Sequence, residues 1–299
     1  ILWTRISPQI NTATEVSWRI CDDIEMQQEV NSGIITTDSK RDFTVKVDAD
    51  GLLPNTWYYY QFSAGNKLSA IGRTKTAAET GLDRLRLAVV SCSSFPHGYF
   101  NVYRILAERN DLDAVVHLGD YIYEYGVGEY GEKSLEQQRD LLPKHEIVTL
   151  TDYRQRHNLY KRDLDLQAVH QQYPFIVTWD DHEFANDTWK EGAENHNEGE
   201  GDFLVRKEKA KQAYFEWMPI RNQPEDLGSC YRKLPFGNLV DLMMLDTRVE
   251  GRDQAPSGVH AQQLRHDENR TLMGFEQEAW LHNQLKASTA KWKVLGQQV

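Results

Sequence analysis

One stretch, Asp113–Glu124, constrains the fold of this chain more than any other. It contains an apolar run, Ala114 to Leu118, which has the length and β-branched character of a buried strand. The run stops at Gly119, and the acid Asp120 follows at once. In an α/β sheet, side chains at the carboxyl ends of buried strands converge in a crevice outside the sheet. The stretch therefore predicts an α/β fold with its chemistry at this strand end.

Two further stretches repeat this arrangement. Leu85–Cys92 is a strand-like run that ends in a cysteine, and Pro174–Glu183 is another that ends in Asp-Asp-His-Glu. Adjacent acids at a strand end repel one another unless a positive charge lies between them. Three strands that place oxygen, sulfur and nitrogen donors at one edge therefore predict a metal site. The alternative is that the acids face solvent and cap a helix.

Composition and motif content argue against several classes of function. The formal net charge of -11 over 299 residues argues against a general nucleic-acid surface, because such a surface needs a basic patch. No apolar run approaches the ~20 residues that span a bilayer. The three cysteines show no Cys-x-x-Cys spacing, and one bridge, Cys21 to Cys230, stays open. The chain has neither a Gly-x-Ser-x-Gly elbow nor a Gly-x-x-x-x-Gly-Lys-Ser/Thr phosphate loop.

Residues 1–76 have the pattern of a small all-β sandwich. Three short segments are rich in β-branched or aromatic residues and are separated by turn-rich segments: Val16–Ile20, Phe43–Val47 and Trp57–Phe62. Leu52–Tyr60 resembles the Leu-x-Pro-x-Thr-x-Tyr-x-Tyr run of fibronectin type III-like sandwiches. In those domains the tyrosine packs at the corner between two strands.

The segment Arg73–Asp83 is polar and small, and it predicts a linker, placed at 77–83. Beyond it, over residues 84–299, strands alternate with longer helical segments, which is an α/β signature. The predicted helices are Asn101–Arg109 (with Val102, Ile105 and Leu106 on one face), Asp152–Gln172 (interrupted near Asp163–Asp165), Leu204–Trp217 and Phe275–Lys286. The predicted strands here are Leu239–Asp246 and Trp292–Leu295, and the predicted loops are Asp187–Asp202 and Gln254–Gly274.

Most of the candidate residues also have a purely structural interpretation. Asp120 follows a glycine and could form a turn or a helix cap. Tyr123 could be a packed aromatic residue, and Cys92 could be a small core residue, since free cysteine is commonly buried. Asp246 favours a structural role, and Arg248 either pairs with it or reaches a phosphate.

Several motifs occur together in the order and spacing of one family. They are Ser91-Cys92, Leu118–Glu124, Thr178–Glu183 and Ala213–Ile220. Over essentially its whole length the chain resembles the PhoD-type alkaline phosphatases, which are calcineurin-like metallophosphoesterases. The resemblance implies an α/β fold in which a four-layer α/β/β/α domain follows the immunoglobulin- or fibronectin-like sandwich. Purple acid phosphatases share the Gly-Asp-x-x-Tyr pattern, but where they usually have Asp-x-Gly and Gly-Asn-His-Glu/Asp motifs this chain has Ser91-Cys92 and Asp180–Glu183.

The resemblance also implies a set of metal ligands. Cys92, Asp120 and Tyr123 would bind Fe3+, with Asp120 bridging towards Ca2+. Asp181 and Asn186 fall where oxygen ligands of the second metal are expected. Cysteine and tyrosine bind as anions, which suits ferric iron, whereas calcium prefers oxygen donors.

Catalytic roles follow from the same resemblance. His182 would assist the leaving group or the bound oxyanion, and either Arg206 or Arg248 would clamp the phosphate. A metal-bound hydroxide would attack phosphorus in line. The implied substrates are small phosphate monoesters and diesters or phospholipid and teichoic-type phosphodiesters, and the implied location is secreted or periplasmic.

One departure from the superfamily pattern concerns the late Gly-Asp-x-His element. Gly201–Leu204 lacks its histidine. The chain begins and ends within strand-like segments, Ile1–Arg5 and Trp292–Val299, so we expect a piece of a longer protein with both domains truncated and a weakened site. Two other hypotheses stay open: a phospholipase D-like phosphodiesterase, and a non-catalytic phosphoester-binding module.

Overall fold

The computed structural model describes residues 1–130, 139–221, 228–259 and 261–298. Its first part is all β. The strands are β1 (Leu2–Arg5), β2 (Thr14–Cys21), β3 (Glu29–Thr37), β4 (Thr44–Val47), β5 (Trp57–Ala64), β6 (Lys67–Leu68) and β7 (Gly72–Lys75). β1 pairs with β4, and the other five strands form a second sheet in which β2 and β5 are central.

A small apolar core joins these two sheets. Leu2 and Val45 from one sheet pack with Val16 and Phe62 from the other, as the alternation of apolar residues along short strands requires. The predicted tyrosine corner is confirmed, because the Leu53 N–H donates to the Tyr58 hydroxyl at 2.9 Å. The predicted all-β sandwich is thus present.

The second part alternates strands and helices. Its elements are β8 (Leu87–Val90), α1 (Asn101–Glu108), β9 (Ala114–His117), α2 (Leu150–Tyr160), α3 (Leu164–Gln172), β10 (Phe175–Val177), α4 (Phe203–Trp217), β11 (Arg232–Phe236), β12 (Val240–Met244), α5 (Ala261–Arg265), α6 (Phe275–Ala287) and β13 (Trp292–Gly296). β8, β9 and β10 form a parallel sheet in the order β10-β9-β8. β12 lies between β11 and β13 in a mixed sheet.

Successive residues of the central strands face different layers. Val115 packs into the large core formed with helices α1 to α4, whereas its neighbour Val116 packs against Leu242 of the mixed sheet. Along β12, Met243 points the other way and packs with Leu281 of α6. The order is therefore helices, sheet, sheet, helix, which confirms the four-layer α/β/β/α prediction.

Several local predictions need correction. Gly72–Lys75 forms a strand that pairs with β5, so the start of the predicted linker belongs to the sheet. On α1, Val102 and Ile105 are exposed and Tyr103 is the buried residue. The predicted loop Gln254–Gly274 contains the short helix α5. No helix or strand occupies residues 76–86, and the domain division at 77–83 stays a prediction.

Other predictions about the chain are confirmed or settled. The interruption at Asp163 is confirmed, since Asp163 is the N-cap of α3. Cys21, Cys92 and Cys230 are all free, so the bridge that the sequence left open does not form. Within the described residues, no helix is both long enough and apolar enough to cross a membrane.

Candidate metal centre

Parallel pairing of β8, β9 and β10 brings the segments that follow them to one edge. The Cys92 N–H donates to the Gly119 carbonyl at 3.2 Å, and the Ser93 N–H donates to the Asp120 carbonyl at 2.8 Å. Gly119 has a φ of 104°, and a Cβ there would lie 2.4 Å from the Asp180 nitrogen. Glycine is required because only it allows the second and third strand ends to approach so closely.

Three predicted site residues form one buried cluster. Ligand atoms of Asp120, Asp181 and His182 all lie within 4.8 Å of one another. Two carboxylates so close together suit a divalent or trivalent cation, and the imidazole lies beside them. The alternative that the acids of Asp180–Glu183 face solvent is wrong, because Asp181 and Glu183 are buried.

Cys92 and Tyr123 meet the cluster at a single atom. The Cys92 thiol and the Tyr123 hydroxyl each donate to Oδ2 of Asp120, both at 3.4 Å. Burial and the nearby Asp120 charge raise the pKa of both groups, so each keeps its proton beside a carboxylate alone. A bound cation would reverse this balance and favour the thiolate and phenolate forms.

The crowded acids repel one another, as the sequence predicted, and burial and this repulsion both raise their pKa values. Burial, followed by the charges of neighbouring acids, raises the pKa of Asp180 to about 7. The pKa of Asp120 is also raised, first by burial and also by the charge of Asp181. Their unfavourable interaction would be relieved by a cation between them.

Glu183 organises the backbone of this crevice. Its buried carboxylate accepts hydrogen bonds from the N–H groups of Asp120 (3.0 Å), Asp180 (2.7 Å) and Tyr121. These bonds tie the loop after β9 to the loop after β10. Burial, together with Asp120, nevertheless raises the pKa of Glu183 to about 8.

His182 is oriented by Glu124. Its Nδ1 lies 2.7 Å from Oε2 of Glu124, and its ring stacks on Tyr123 with centroids 4.2 Å apart. Burial alone would lower the pKa of His182, but the hydrogen bond and charge of Glu124 raise it to about 9. Glu124 also accepts from the Asn186 N–H at 2.6 Å and the Asn195 amide at 2.9 Å.

Arg248 belongs to the site. Its Nε donates to Asp180 at 2.6 Å, and its terminal nitrogens lie 3.5 Å from Asp181 and 3.3 Å from Asp187. Asp246 binds backbone N–H groups instead, including that of Arg248 itself. Of the two roles left open for Arg248, pairing of its guanidinium with Asp246 is not observed.

Arg206 lies elsewhere in the fold. Its guanidinium is buried in ion pairs with Glu146 (2.7 Å) and Glu200 (2.9 Å), and it donates to the carbonyls of Ile147 and Asn195. The structure does not bring it to the cluster. Through Asn195 it supports the side chain that holds Glu124.

Asn186 stands at the border of the site. Its N–H binds Glu124, and its amide group donates to Glu194 at 2.8 Å. Within the described part of the chain its side-chain oxygen accepts no hydrogen bond. That oxygen is the atom that a ligand role would use, and this role stays a prediction.

Two family models match the chain: PhoD-like phosphatase over residues 87–299, and the PhoD-like phosphatase N-terminal domain over residues 1–78. The chain belongs to the PhoD-like phosphatase family. It is 40% identical over 315 residues to alkaline phosphatase D of Bacillus subtilis (strain 168), a match that covers 100% of this chain and 53% of that protein.

A solved structure described as "Structure of PhoD" has the same fold. It matches with a TM-score of 0.89 and 38% identity, covering 99% of this chain and 59% of that one. The chain thus spans little more than half the length of these relatives.

Sequence reasoning missed several of the residues that hold this site together. Glu124, Glu183 and Asp180 were visible as acids at strand ends, but none was assigned a role. The signal for Glu124 is its position directly after a buried apolar segment, where an unpaired carboxylate is costly. Asn195 gave no signal, because its contact with Glu124 joins residues 71 positions apart.

Proposed function

We propose that the site hydrolyses phosphate esters with the help of bound cations. The observation that carries the proposal is the buried cluster of Asp120, Asp181 and His182, with Cys92 and Tyr123 converging on one carboxylate oxygen. Membership of the PhoD-like phosphatase family supports the same chemistry. The chain spans only part of the length of its relatives. That this chain is active on its own is therefore part of the proposal.

The donor types support two different cations. Cys92, Asp120 and Tyr123 offer the anionic sulfur and oxygen donors that suit Fe3+, whereas Asp181 and Asn186 offer oxygen donors that suit Ca2+. When bound, such cations lower the pKa of water and neutralise charge on phosphate oxygens.

The protein's own groups would then bind the ester and move protons. Arg248 is bound by Asp180 and Asp181, so its guanidinium is held beside the cluster where phosphate oxygens would lie. His182 is positioned by Glu124 through Nδ1, which leaves Nε2 to give a proton to the departing oxygen. We assign Arg206 no contact with substrate.

Elemental analysis, visible absorption and rates on three substrates test this proposal. We expect near-stoichiometric iron, a broad charge-transfer band, and turnover of 4-nitrophenyl phosphate and bis(4-nitrophenyl) phosphate. Asp120→Asn should abolish both the band and turnover, whereas Asp165→Asn on helix α3 should leave them within twofold.

The other hypotheses are outcomes of the same experiment. A clear preference for phosphatidylcholine would favour the phospholipase D-like diesterase. Phosphate binding without turnover would favour the non-catalytic module, which the absence of a Gly-Asp-x-His element motivates. We also propose a secreted or periplasmic location, supported by the resemblance to secreted phosphatases and tested by fractionating cells that produce the native protein.

A further inference from the structure

A cavity of about 460 Å³ lies between the sandwich and the α/β domain. Trp3, Tyr60 and Arg73 line it from the first part of the chain, and Lys161 and Trp217 line it from the second. Its volume falls in the range of small-molecule sites. None of the residues described at the metal centre lines it.

The charges in this cavity have one sign. Its described lining includes four cationic side chains, Arg5, Arg73, Lys161 and Arg162, and no aspartate or glutamate. This is unusual in a chain whose formal net charge is -11. The cavity therefore concentrates positive potential, and low-dielectric walls strengthen such a field.

Lys161 is the least compensated of these cations. It follows helix α2, and its Nζ lies 4.7 Å from the ring centre of Trp3 and 5.1 Å from that of Tyr121. Within the described residues its ammonium forms no hydrogen bond or ion pair. Two ring faces offset only part of the desolvation of an ammonium group.

The neighbouring cations differ in how many of their hydrogen-bond donors already have a partner. Arg5 is held by Asp42 at 3.0 Å. Arg73 lies over Trp57 at 4.0 Å, but its buried Nη2 has no hydrogen-bond partner in the described part of the chain. Arg162 is exposed at the cavity and forms no ion pair there with a described residue. Unused donors on Lys161 and Arg162 thus remain for an anion, while Arg73 adds positive charge to the wall.

Aromatic rings form the rest of the wall. Trp3 and Trp217 lie with ring centroids 5.7 Å apart, and Tyr60, Tyr173 and Phe175 also line the cavity. Guanidinium and ammonium groups together recognise phosphate, and ring faces recognise a flat apolar body. We propose that this cavity binds an organic phosphate with a flat apolar body, at a site separate from the metal centre.

Phenylphosphonate is a suitable probe, because it carries both features and contains no ester bond to hydrolyse. Binding to the full chain can be followed by calorimetry and by quenching of tryptophan fluorescence. We expect saturable binding at least tenfold tighter than that of inorganic phosphate or phenol alone. Trp3→Phe should remove much of the fluorescence change, since Trp3 forms a wall of the cavity.

Variants locate the binding. Lys161→Met keeps the apolar stem and should weaken binding at least tenfold, and Lys161→Arg should restore most of it. Arg162→Gln alters an exposed side chain that the fold does not need, and should weaken binding about threefold. Asp181→Asn at the metal centre should leave the affinity for this probe within twofold.

The opposite pattern would overturn the proposal. If Asp181→Asn abolishes all saturable binding while Lys161→Met and Arg162→Gln bind as the parent does, the probe occupies the metal centre alone. Equal affinities for phenylphosphonate and inorganic phosphate would contradict the proposal that the cavity recognises a flat apolar body. Loss of phosphatase activity would not affect this test, because it measures binding only.

Discussion

At the scale of single residues, Glu124 acts on the site through other residues. It is fully buried, and its three hydrogen bonds hold His182, the backbone of Asn186 and the side chain of Asn195. Glu124→Gln keeps the shape but replaces one acceptor oxygen with a donor. We expect kcat to fall about 10- to 100-fold, as for groups that orient metal-site residues.

Steady-state kinetics with metal analysis would check this prediction. A matched control is Glu191→Gln, which changes an exposed acid on the loop that carries His182, Asn186 and Asn195, and should stay within twofold of the parent. If Glu124→Gln retains full kcat and full metal content, Glu124 does not position His182 for catalysis.

A second residue-scale prediction concerns His157. Its ring lies parallel to that of Trp217 with centroids 6.2 Å apart, and its buried Nδ1 has no hydrogen-bond partner among the described residues. Burial, and then the charge of Lys161, lowers the pKa of His157 from 6.5 to about 3. As pH falls below 6.5 the unfolded chain takes up the proton first, so this contribution to stability is present above pH 6.5 and is lost towards pH 3.

Replacing His157 with phenylalanine removes this titration and keeps an aromatic ring beside Trp217. Between pH 7.5 and pH 5 the free energy of unfolding should fall by about 2 kcal/mol less in His157→Phe than in the parent. Urea unfolding of both metal-free proteins at the two pH values would measure the difference. Equal losses in the two proteins would show that His157 is not buried in its neutral form.

At the scale of elements, Asp163 joins a helix to the core. Its Oδ1 caps α3 by accepting from the N–H groups of Asp165 (3.0 Å) and Leu166 (3.1 Å), while Oδ2 pairs with Arg139 at 2.9 Å. Both side chains of the ion pair are nearly buried. Removing one partner of such a pair costs about 3 to 5 kcal/mol, and losing a cap costs about 1 kcal/mol.

Two substitutions separate these contributions. Asp163→Asn keeps the cap and should lose about 3 kcal/mol of unfolding free energy, whereas Asp163→Ala should lose about 4 kcal/mol. Asp165→Asn, in the first turn of the same helix, should lose under about 1 kcal/mol. Chemical denaturation gives all three values, and equal stability of the asparagine variant and the parent would contradict the ion-pair argument.

The elements also show why some predictions succeeded. Asp163 was recognisable as a helix break because a short acid before Leu164 satisfies free N–H groups, which is a local property. The face of α1 was not recognisable: Val102 and Ile105 have apolar spacing, yet Tyr103 is the residue that packs into the core. Which face a short helix buries depends on neighbours that local periodicity does not contain.

At the scale of the whole molecule, the residues at the strand ends could be predicted from the sequence. The contacts between segments distant in sequence could not. Asp120 and Asp181 follow apolar runs, so parallel strands would bring them together wherever the sheet formed. By contrast, the salt bridge of Arg206 with Glu146 and the all-cationic cavity arise from segments distant in sequence. The same holds for the contacts between the two parts, such as Lys75 with Asp113 at 2.6 Å.

Those contacts predict that the two parts unfold together. The Trp3 indole donates to the Glu216 carbonyl at 2.9 Å, and Arg154 donates to the Lys40 carbonyl at 2.6 Å. A cation at Asp120 and Asp181 should therefore stabilise the whole chain by about 2.7 kcal/mol at 100 times its Kd, and chelation should lower a single Tm by about 5 °C.

Asp181→Asn provides the control for this experiment. It relieves repulsion within the cluster, so its metal-free Tm should equal or exceed that of the metal-free parent, and added cations should no longer raise it. Scanning calorimetry with and without chelator would measure both effects. Two transitions, of which only one responds to chelator, would show that the sandwich and the α/β domain unfold independently despite their contacts.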